Sequence, residues 1–354
     1  HSWLIIRFLF LQSFEIELSG HSTTAIRNES IGQLRTLICA IVKDELRYLD
    51  EWVDYHFAIG FSMILFYDNS EDTQQMRDWR NGRLDRNKLS IFDAIGEKQQ
   101  MIAYKDCAIR AISLNQSWIL FADVDEFLVL KKHKSVDSFI TEQGTTGQIF
   151  IKWRIFGTSG HLRYTPDPVL YRFQCRVPDE HPQNFFTKSL IDLAELDLSQ
   201  TFSNPHSFPM KRMRVMTRTL RRKAMLSLPR CDTQIAVINH YYYRSHEEYI
   251  EKRKRGDVFH GGNGTFLLNE ATLGIDVFTG QPIPGGTLHD DLAWIALVEK
   301  IPKYKKSKHN VIDSSSCTRF EGENYTNIKN FPGFMALVHA FKRDQLKKSQ
   351  DQRI

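Results

Sequence analysis

The spacing of apolar positions changes repeatedly along this chain. Leu34 to Val42 (LRTLICAIV) is a β-rich apolar run closed by Lys43-Asp44-Glu45, and it predicts a buried first strand. Leu46, Leu49, Trp52, Val53 and Phe57 then recur at helical spacing, ending near Gly60. Ser62 to Tyr67 (SMILFY) returns to a strand, stopped by the turn sequence Asp68-Asn69-Ser70. Leu89 to Phe92 predicts a short third strand. Glu97 to Leu114 predicts an amphipathic helix with Met101, Tyr104, Ala108, Ile109 and Ile112 on one face. Strand–helix–strand–helix alternation implies an α/β fold with a parallel, doubly wound sheet.

Candidate chemistry begins with the next run. Trp118 to Leu128 is apolar until it meets Asp123, Asp125 and Glu126, three carboxylates within four positions. Such a run reads as a fully buried strand that delivers charge to its carboxyl end, where open α/β sheets bind ligands. On a chain that stays extended, Asp123 and Asp125 point the same way. They would repel each other unless a hard cation such as Mg²⁺ or Mn²⁺ lies between them. Such a cation completes its shell with water and substrate phosphate, which predicts a nucleotide-bearing substrate. The bland alternative is that these acids open a loop or cap a helix.

Further along, Gly147 to Ile155 and Val169 to Cys175 read as strands around a glycine-rich loop, Phe156 to His161. Phe186 to Leu190 and Ile235 to Tyr243 read as later strands, and Ser245 to Arg255 as a charged, exposed helix. Gly256 to Gly286 predicts loops. Asp290 to Lys300 and Met335 to Gln350 predict helices. The expected organisation is an N-terminal segment over 1–33, a main domain over 34–260 and a loop-and-helix extension over 261–354.

Composition narrows this only a little. With 354 residues, 42% hydrophobic and 25% charged, the chain has the make-up of an ordinary globular protein. A net charge of +5 selects no partner. Basic runs at Lys211 to Lys223 and Lys303 to Lys308 read as solvated loops before diphosphate, membrane or nucleic-acid contacts. No zinc finger or RNP motif accompanies them, so no nucleic-acid partner is expected. Of the 5 cysteines, Cys39 and Cys107 sit where buried thiols pack, and Cys175 could pair with Cys231 in an oxidising compartment. Trp3 to Leu11 is apolar except for Arg7, and too short for the ~20 residues of a membrane span. It reads as the remnant of an N-terminal membrane anchor or as a strand. Acceptor tripeptides for N-glycosylation at Asn28, Asn115, Asn263 and Asn324 lend slight support to a secretory address.

Several short motifs, in order, resemble glycosyltransferase family 92 and its relatives among the family 2-like transferases. They are Ala40 to Glu45; Leu49 to His56, with Glu51-Trp52 and Tyr55-His56; Tyr67-Asp68-Asn69; and Asp123-Val124-Asp125-Glu126-Phe127. Trp153 to His161, Lys188-Ser189-Leu190, and Asn239-His240-Tyr241 with Ser245 to Gly256 complete the series. The likeness spans roughly residues 35–257. Each motif is short, and their common order carries the resemblance. Asp44 stands where the family has asparagine.

The resemblance implies a GT-A fold with a mixed acceptor-side half, Mn²⁺ or Mg²⁺ dependence, and a UDP-sugar donor with galactose as the family's sugar. It also implies a glycan acceptor, inversion at the anomeric carbon, and the Golgi or another secretory membrane as location. Val42, Lys43, Glu45, Asp68, Asn69, Asp123 and Lys188 are the expected donor contacts. For Asp68 a turn or helix-cap role weighs equally. Asp125 is the expected direct metal ligand, and Asp123 reaches ribose, or the metal through water. His240 is the third ligand or a satisfied core histidine, with His206 competing. Lys188, Lys211 or Lys252 would offset charge on the leaving diphosphate. Asp290, Asp291, Glu180 and Asp257 are candidate bases, although a helix-cap role outweighs catalysis for Asp290. Glu126 orients the site or caps the next turn. Two other readings stand beside this one. One is a haloacid-dehalogenase-like phosphatase, against which Phe127 and the late position of the strand both count. The other is an inactive glycan-binding relative.

Overall fold

The structure is a computed structural model that describes residues 34–144, 147–213, 231–256 and 283–306, together with Cys317. The segment around Trp3 to Leu11, most of the 211–223 basic run and the expected helix at 335–350 lie outside the described residues. The chain runs β1 (Thr36–Val42), α1 (Leu46–Ala58), β2 (Met63–Asp68), α2 (Gln74–Gly82), β3 (Leu89–Asp93), α3 (Gln100–Ser113) and β4 (Trp118–Phe121). It continues through β5 (Glu126–Leu130), α4 (Val136–Gln143), β6 (Gln148–Ile155), α5 (Val169–Arg172), β7 (Cys175–Arg176) and β8 (Thr187–Asp192). Then come β9 (Ala236–His240), α6 (His246–Arg255), β10 (Leu288–His289) and α7 (Leu292–Lys300).

The main sheet has strand order β3-β2-β1-β4-β8-β6-β9-β5. β3, β2, β1 and β4 are mutually parallel, β8 runs against both β4 and β6, β6 is parallel to β9, and β5 is antiparallel to β9. Alternation along β1 divides the core between two faces. Ile38, Ala40 and Val42 pack with Leu49, Trp52 and Val53 of α1. Leu37, Cys39 and Ile41 pack with Tyr104, Cys107 and Ala108 of α3. This is the expected doubly wound α/β architecture, mostly parallel, with a mixed half of the GT-A kind.

Three strands separate β4 from β5, a width of about 19 Å in a flat sheet. Only residues 122–125 link them. There the chain folds into a turn in which Glu126 N donates to the Asp123 carbonyl at 3.0 Å. So short a link requires the sheet to curl until β5 stands close to the end of β4.

Two expectations change for physical reasons. Val169 to Arg172 is a helical turn rather than a strand, because the buried Glu51 carboxylate accepts Val169 N at 2.6 Å and Leu170 N at 2.9 Å. That cap comes from α1, out of reach of local pattern. The helix α6 is not exposed. Its Tyr249 and Ile250 are buried and its Glu248 pairs with Arg172, so several of its charges face partners rather than water. The polar helix α2 buries Met76 alone, whereas the short α4 sets Val136, Phe139 and Ile140 at helical spacing behind the Ser135 cap.

Cys175 is bonded to Cys317, and Cys231 is a buried free thiol, which corrects the expected Cys175–Cys231 pairing. Residues 283–306 pack on the same body. Thr158 N and Ser159 N each donate at 2.9 Å, to the Pro284 and Gly285 carbonyls respectively. A Cβ on Gly157 would stand 2.4 Å from Gly285, so the glycine-rich loop is glycine where another backbone crosses it. Among the described residues no helix is long and apolar enough to cross a membrane.

Candidate active site

One edge of the sheet gathers the chain's charge. β1, β2, β4 and β9 end there, and the oppositely running β8 and β5 begin there. This is the carboxyl edge of the parallel strands, where α/β sheets bind ligands. It carries Asp68, Asp123, Asp125, Glu126, Lys188 and His240, with Lys252 reaching in from α6.

The turn after β4 separates the two aspartates, contrary to the extended-chain expectation. Asp123 Oδ2 accepts from Lys188 Nζ at 3.0 Å, and its Oδ1 from Tyr104 Oη at 3.2 Å and Gln100 Nε2 at 3.3 Å. Asp125 is buried and faces elsewhere. Its Oδ1 lies 3.5 Å from His240 Nε2, and its Oδ2 is paired with Lys252 Nζ. Burial alone would raise the Asp125 pKa, but Lys252 and then His240 outweigh it and hold the carboxyl well below the usual range.

Glu126 supports this arrangement from below. Its Oε2 accepts Asp123 N at 2.9 Å and pairs with Lys188 Nζ at 3.0 Å, while its Oε1 is buried without a partner. Burial pushes its carboxyl up to about 7 despite the opposing charge of Lys188. The buried Lys188 ammonium thus bridges two carboxylates. They raise its pKa against the desolvation that would lower it.

The other expected donor contacts fall into two groups. Asp68 is buried at the end of β2. Its Oδ1 accepts Ser70 N at 2.9 Å, its Oδ2 is unpartnered, and burial raises its pKa. Asn69 spends its amide on the Ala94 and Gly96 carbonyls, and Val42 gives its carbonyl to Asn69 N, so these two shape the edge. Lys43 is half-buried beside them. Glu45 accepts from Arg244 and Arg255, each at 3.2 Å. Arg244 went unnoticed in the sequence, where it reads only as the end of a tyrosine run. It is buried over the Tyr48 ring, 3.6 Å from the centroid, with Nε and Nη2 unpartnered.

His240 and His206 both pack against Trp153. The ring centroids are 4.4 Å apart for Trp153 and His240, and 5.1 Å for Trp153 and His206. Trp153 Nε1 and His240 Nδ1 are both buried without partners. His206 Nδ1 lies 2.8 Å from the Thr187 carbonyl, which can only accept, so Nδ1 carries the proton and Nε2 the lone pair. Burial, and then the charge of Lys188, push its pKa down to about 4.

The candidate bases do not join this cluster. Asp290 Oδ2 is held by Arg154 at 2.9 Å and Arg176 at 3.3 Å, and alternation along β6 sends Arg154 to the face opposite Trp153. Asp291 is the N-cap of α7, and Glu180 is exposed after β7. Asp257 lies outside the described residues. Lys211 is exposed and donates to the Ala194 carbonyl at 2.6 Å.

Among the described residues no three metal-ligating side chains gather, so the trio Asp123, Asp125 and His240 is not assembled as such. Asp125 and His240 do converge. Mg²⁺-type sites often use only one or two carboxylates, completed by phosphate and water; Asp125 is a donor of that kind, whereas the His240 imidazole is not.

The family model of Glycosyltransferase family 92 matches residues 38–260. A family 92 protein of Ricinus communis is 27% identical over 230 residues, covering 61% of this chain and 36% of that protein. One from Arabidopsis thaliana is 25% identical over 228 residues, covering 61% and 36%. The chain therefore spans a little over a third of the length of these relatives. Among solved structures, S. aureus TarS 1–349 in complex with UDP-GlcNAc shares 14% identity at a TM-score of 0.35, covering 76% of this chain and 72% of that chain. A likeness that slight carries no weight for function. The family match takes in the whole charged edge from β1 to α6, and this chain belongs to glycosyltransferase family 92.

Proposed function

We propose that this chain is the catalytic domain of a metal-dependent, inverting glycosyltransferase that moves a sugar from a UDP-sugar to a glycan hydroxyl. Galactose is the sugar the family resemblance suggests. The observation that carries the reading is the convergence of Asp125, His240 and Lys252 at the sheet's carboxyl edge. Membership of the family supports it and sets the phosphatase alternative aside.

In this reading the unpartnered Asp68 Oδ2 accepts from the nucleoside. Asp123, its side chain 34% exposed and steadied by Lys188, meets the ribose. Asp125 and His240 hold Mn²⁺ or Mg²⁺, which when bound offsets the charge developing on the departing diphosphate. Lys252 adds fixed positive charge beside it, already oriented before the reaction. The Cys175–Cys317 disulfide supports an oxidising lumen, as in the secretory pathway.

A panel of UDP-sugars tested for UDP release and glycan product, with Mn²⁺ and with chelator, decides the matter. Mn²⁺-dependent transfer from one donor is expected. Glycan binding with no UDP release from any donor would identify an inactive relative instead.

A further inference from the structure

Given the sugar-transfer reading above, we propose that the Phe186–Trp153 wall seats the acceptor sugar and that His206 Nε2 takes the proton from its attacking hydroxyl. Asp68 stands apart at the end of β2, and among the described residues the carboxylates nearer this wall are otherwise engaged. Asp123 is bound to Lys188, Asp125 to Lys252, and Glu126 lies fully buried beneath the turn. Asp290 is locked by two arginines. Beside the Trp153–Phe186 wall His206 offers a proton acceptor, its tautomer fixed with the lone pair on Nε2.

The backbone that carries the ring is also held in place. Ser189 Oγ donates to the His206 carbonyl at 2.6 Å, and His206 N donates to Asn204 Oδ1 at 2.9 Å. Trp153 touches both His206 and His240, and His240 faces Asp125, so one indole links His206 to the carboxylate edge. On the outer side, Phe186 packs 5.3 Å from Trp153 and 5.5 Å from His206 and remains 51% exposed, with Phe185 59% exposed beside it. Exposed aromatic faces next to a polar cluster suit a pyranose ring, which offers an apolar face and a polar rim. The charged and titratable groups acting on His206 are Lys188, Asp123 and His240.

In the step itself, the acceptor oxygen bonds to the anomeric carbon while the carbon–oxygen bond to the diphosphate breaks. That bond's electron pair leaves with UDP, and the hydroxyl proton passes to Nε2 and then to solvent.

The test compares His206→Asn, which keeps a donor for the Thr187 carbonyl without a base, with Phe186→Ala. Transfer to p-nitrophenyl glycosides is measured together with UDP binding by calorimetry. His206→Asn should lower kcat roughly 10²- to 10⁴-fold with UDP affinity changed less than about twofold. Imidazole should partly rescue His206→Ala. Phe186→Ala should raise acceptor KM and leave kcat nearly unchanged. If His206→Asn keeps kcat within about threefold, or alters only the Mn²⁺ requirement, the assignment of the base is overturned while the transferase reading stands. A wild-type chain that transfers from no UDP-sugar overturns both.

Discussion

Lys252 and Asp125 are 127 positions apart in the sequence, yet they form a salt bridge at the carboxyl edge of the sheet. Lys252 approaches along α6, 4.0 Å from the centroid of the Tyr242 ring, and remains 23% exposed. The pair therefore joins the carboxylate motif to the last helix of the family match.

Asp125→Ala should abolish turnover, by 10²-fold or more on the scale of lost electrostatic stabilisation. Because Lys252 keeps some access to water, the accompanying loss of stability should stay near 1–3 kcal/mol. Circular dichroism and a thermal melt, run beside the UDP-release assay, separate the two effects. Full metal-dependent activity in this variant would refute the role given to Asp125.

Asp68→Asn keeps an oxygen for Ser70 N and removes the charge from the unpartnered side of the group. UDP should bind about tenfold more weakly, a loss near 1.4 kcal/mol, with the melting temperature little changed. Calorimetric titration with UDP is the measurement, and an unchanged Kd would remove Asp68 from the donor site.

Arg172 and Glu248 form a doubly hydrogen-bonded pair at 2.7 and 2.9 Å with both side chains 1% exposed. Burial would raise the Glu248 pKa, but Arg172 prevails and holds it down to about 2. Its contribution to stability is present above the ordinary carboxylate value near 4.5 and disappears as pH falls toward 2. Arg172→Ala removes the salt bridge and leaves that carboxylate buried against the Tyr48 and Ser245 hydroxyls, and should cost roughly 3–5 kcal/mol in urea unfolding at pH 7.

His56 is fully buried, with Nδ1 bonded to the Trp52 carbonyl at 2.8 Å, and burial pushes its pKa down to about 3. An unfolded histidine binds protons from about pH 6.5 downward and this one does not, so stability should fall as pH drops from 6.5 toward 3. His246, pushed down to about 4, acts in the same direction. His56→Phe should flatten part of that slope in urea melts at pH 7, 5.5 and 4, and an unchanged slope would contradict the assignment.

The Cys175–Cys317 bond closes a loop with a sequence separation of 142. Chain entropy puts the stabilisation at about 5 kcal/mol at most. Dithiothreitol, or the double change Cys175→Ala with Cys317→Ala, should lower the melting temperature. Cys231→Ala should not move it in the same way.

The first half of the fold was legible because its strands are apolar runs and α1 carries a periodic stripe; α3 forms as expected, but it buries Ala103, Tyr104, Cys107, Ala108 and Ala111 and leaves Ile109 and Ile112 of the expected face exposed. The carboxyl-edge acids were legible for the same reason, since Trp118–Phe121 stops so abruptly. What escaped depends on distant partners. Glu51 turns an apolar stretch into a helix, and Arg172 draws a charged helix inward. Lys188 and Lys252 divide two aspartates that pattern alone would aim together. The neighbourhood of His206 and Trp153 escaped for a related cause, because it is assembled by the pairing of β6 with β8 and the return of the His206 loop onto Thr187.

That curl gives the Asp123–Glu126 turn a mechanical duty. It acts as a clasp, joining the parallel half of the molecule to the far margin of the mixed half across a span that tolerates almost no slack. The same four-residue link carries Asp123 and Asp125, so the spacing of the two carboxylates and the closure of the sheet are set by one short segment.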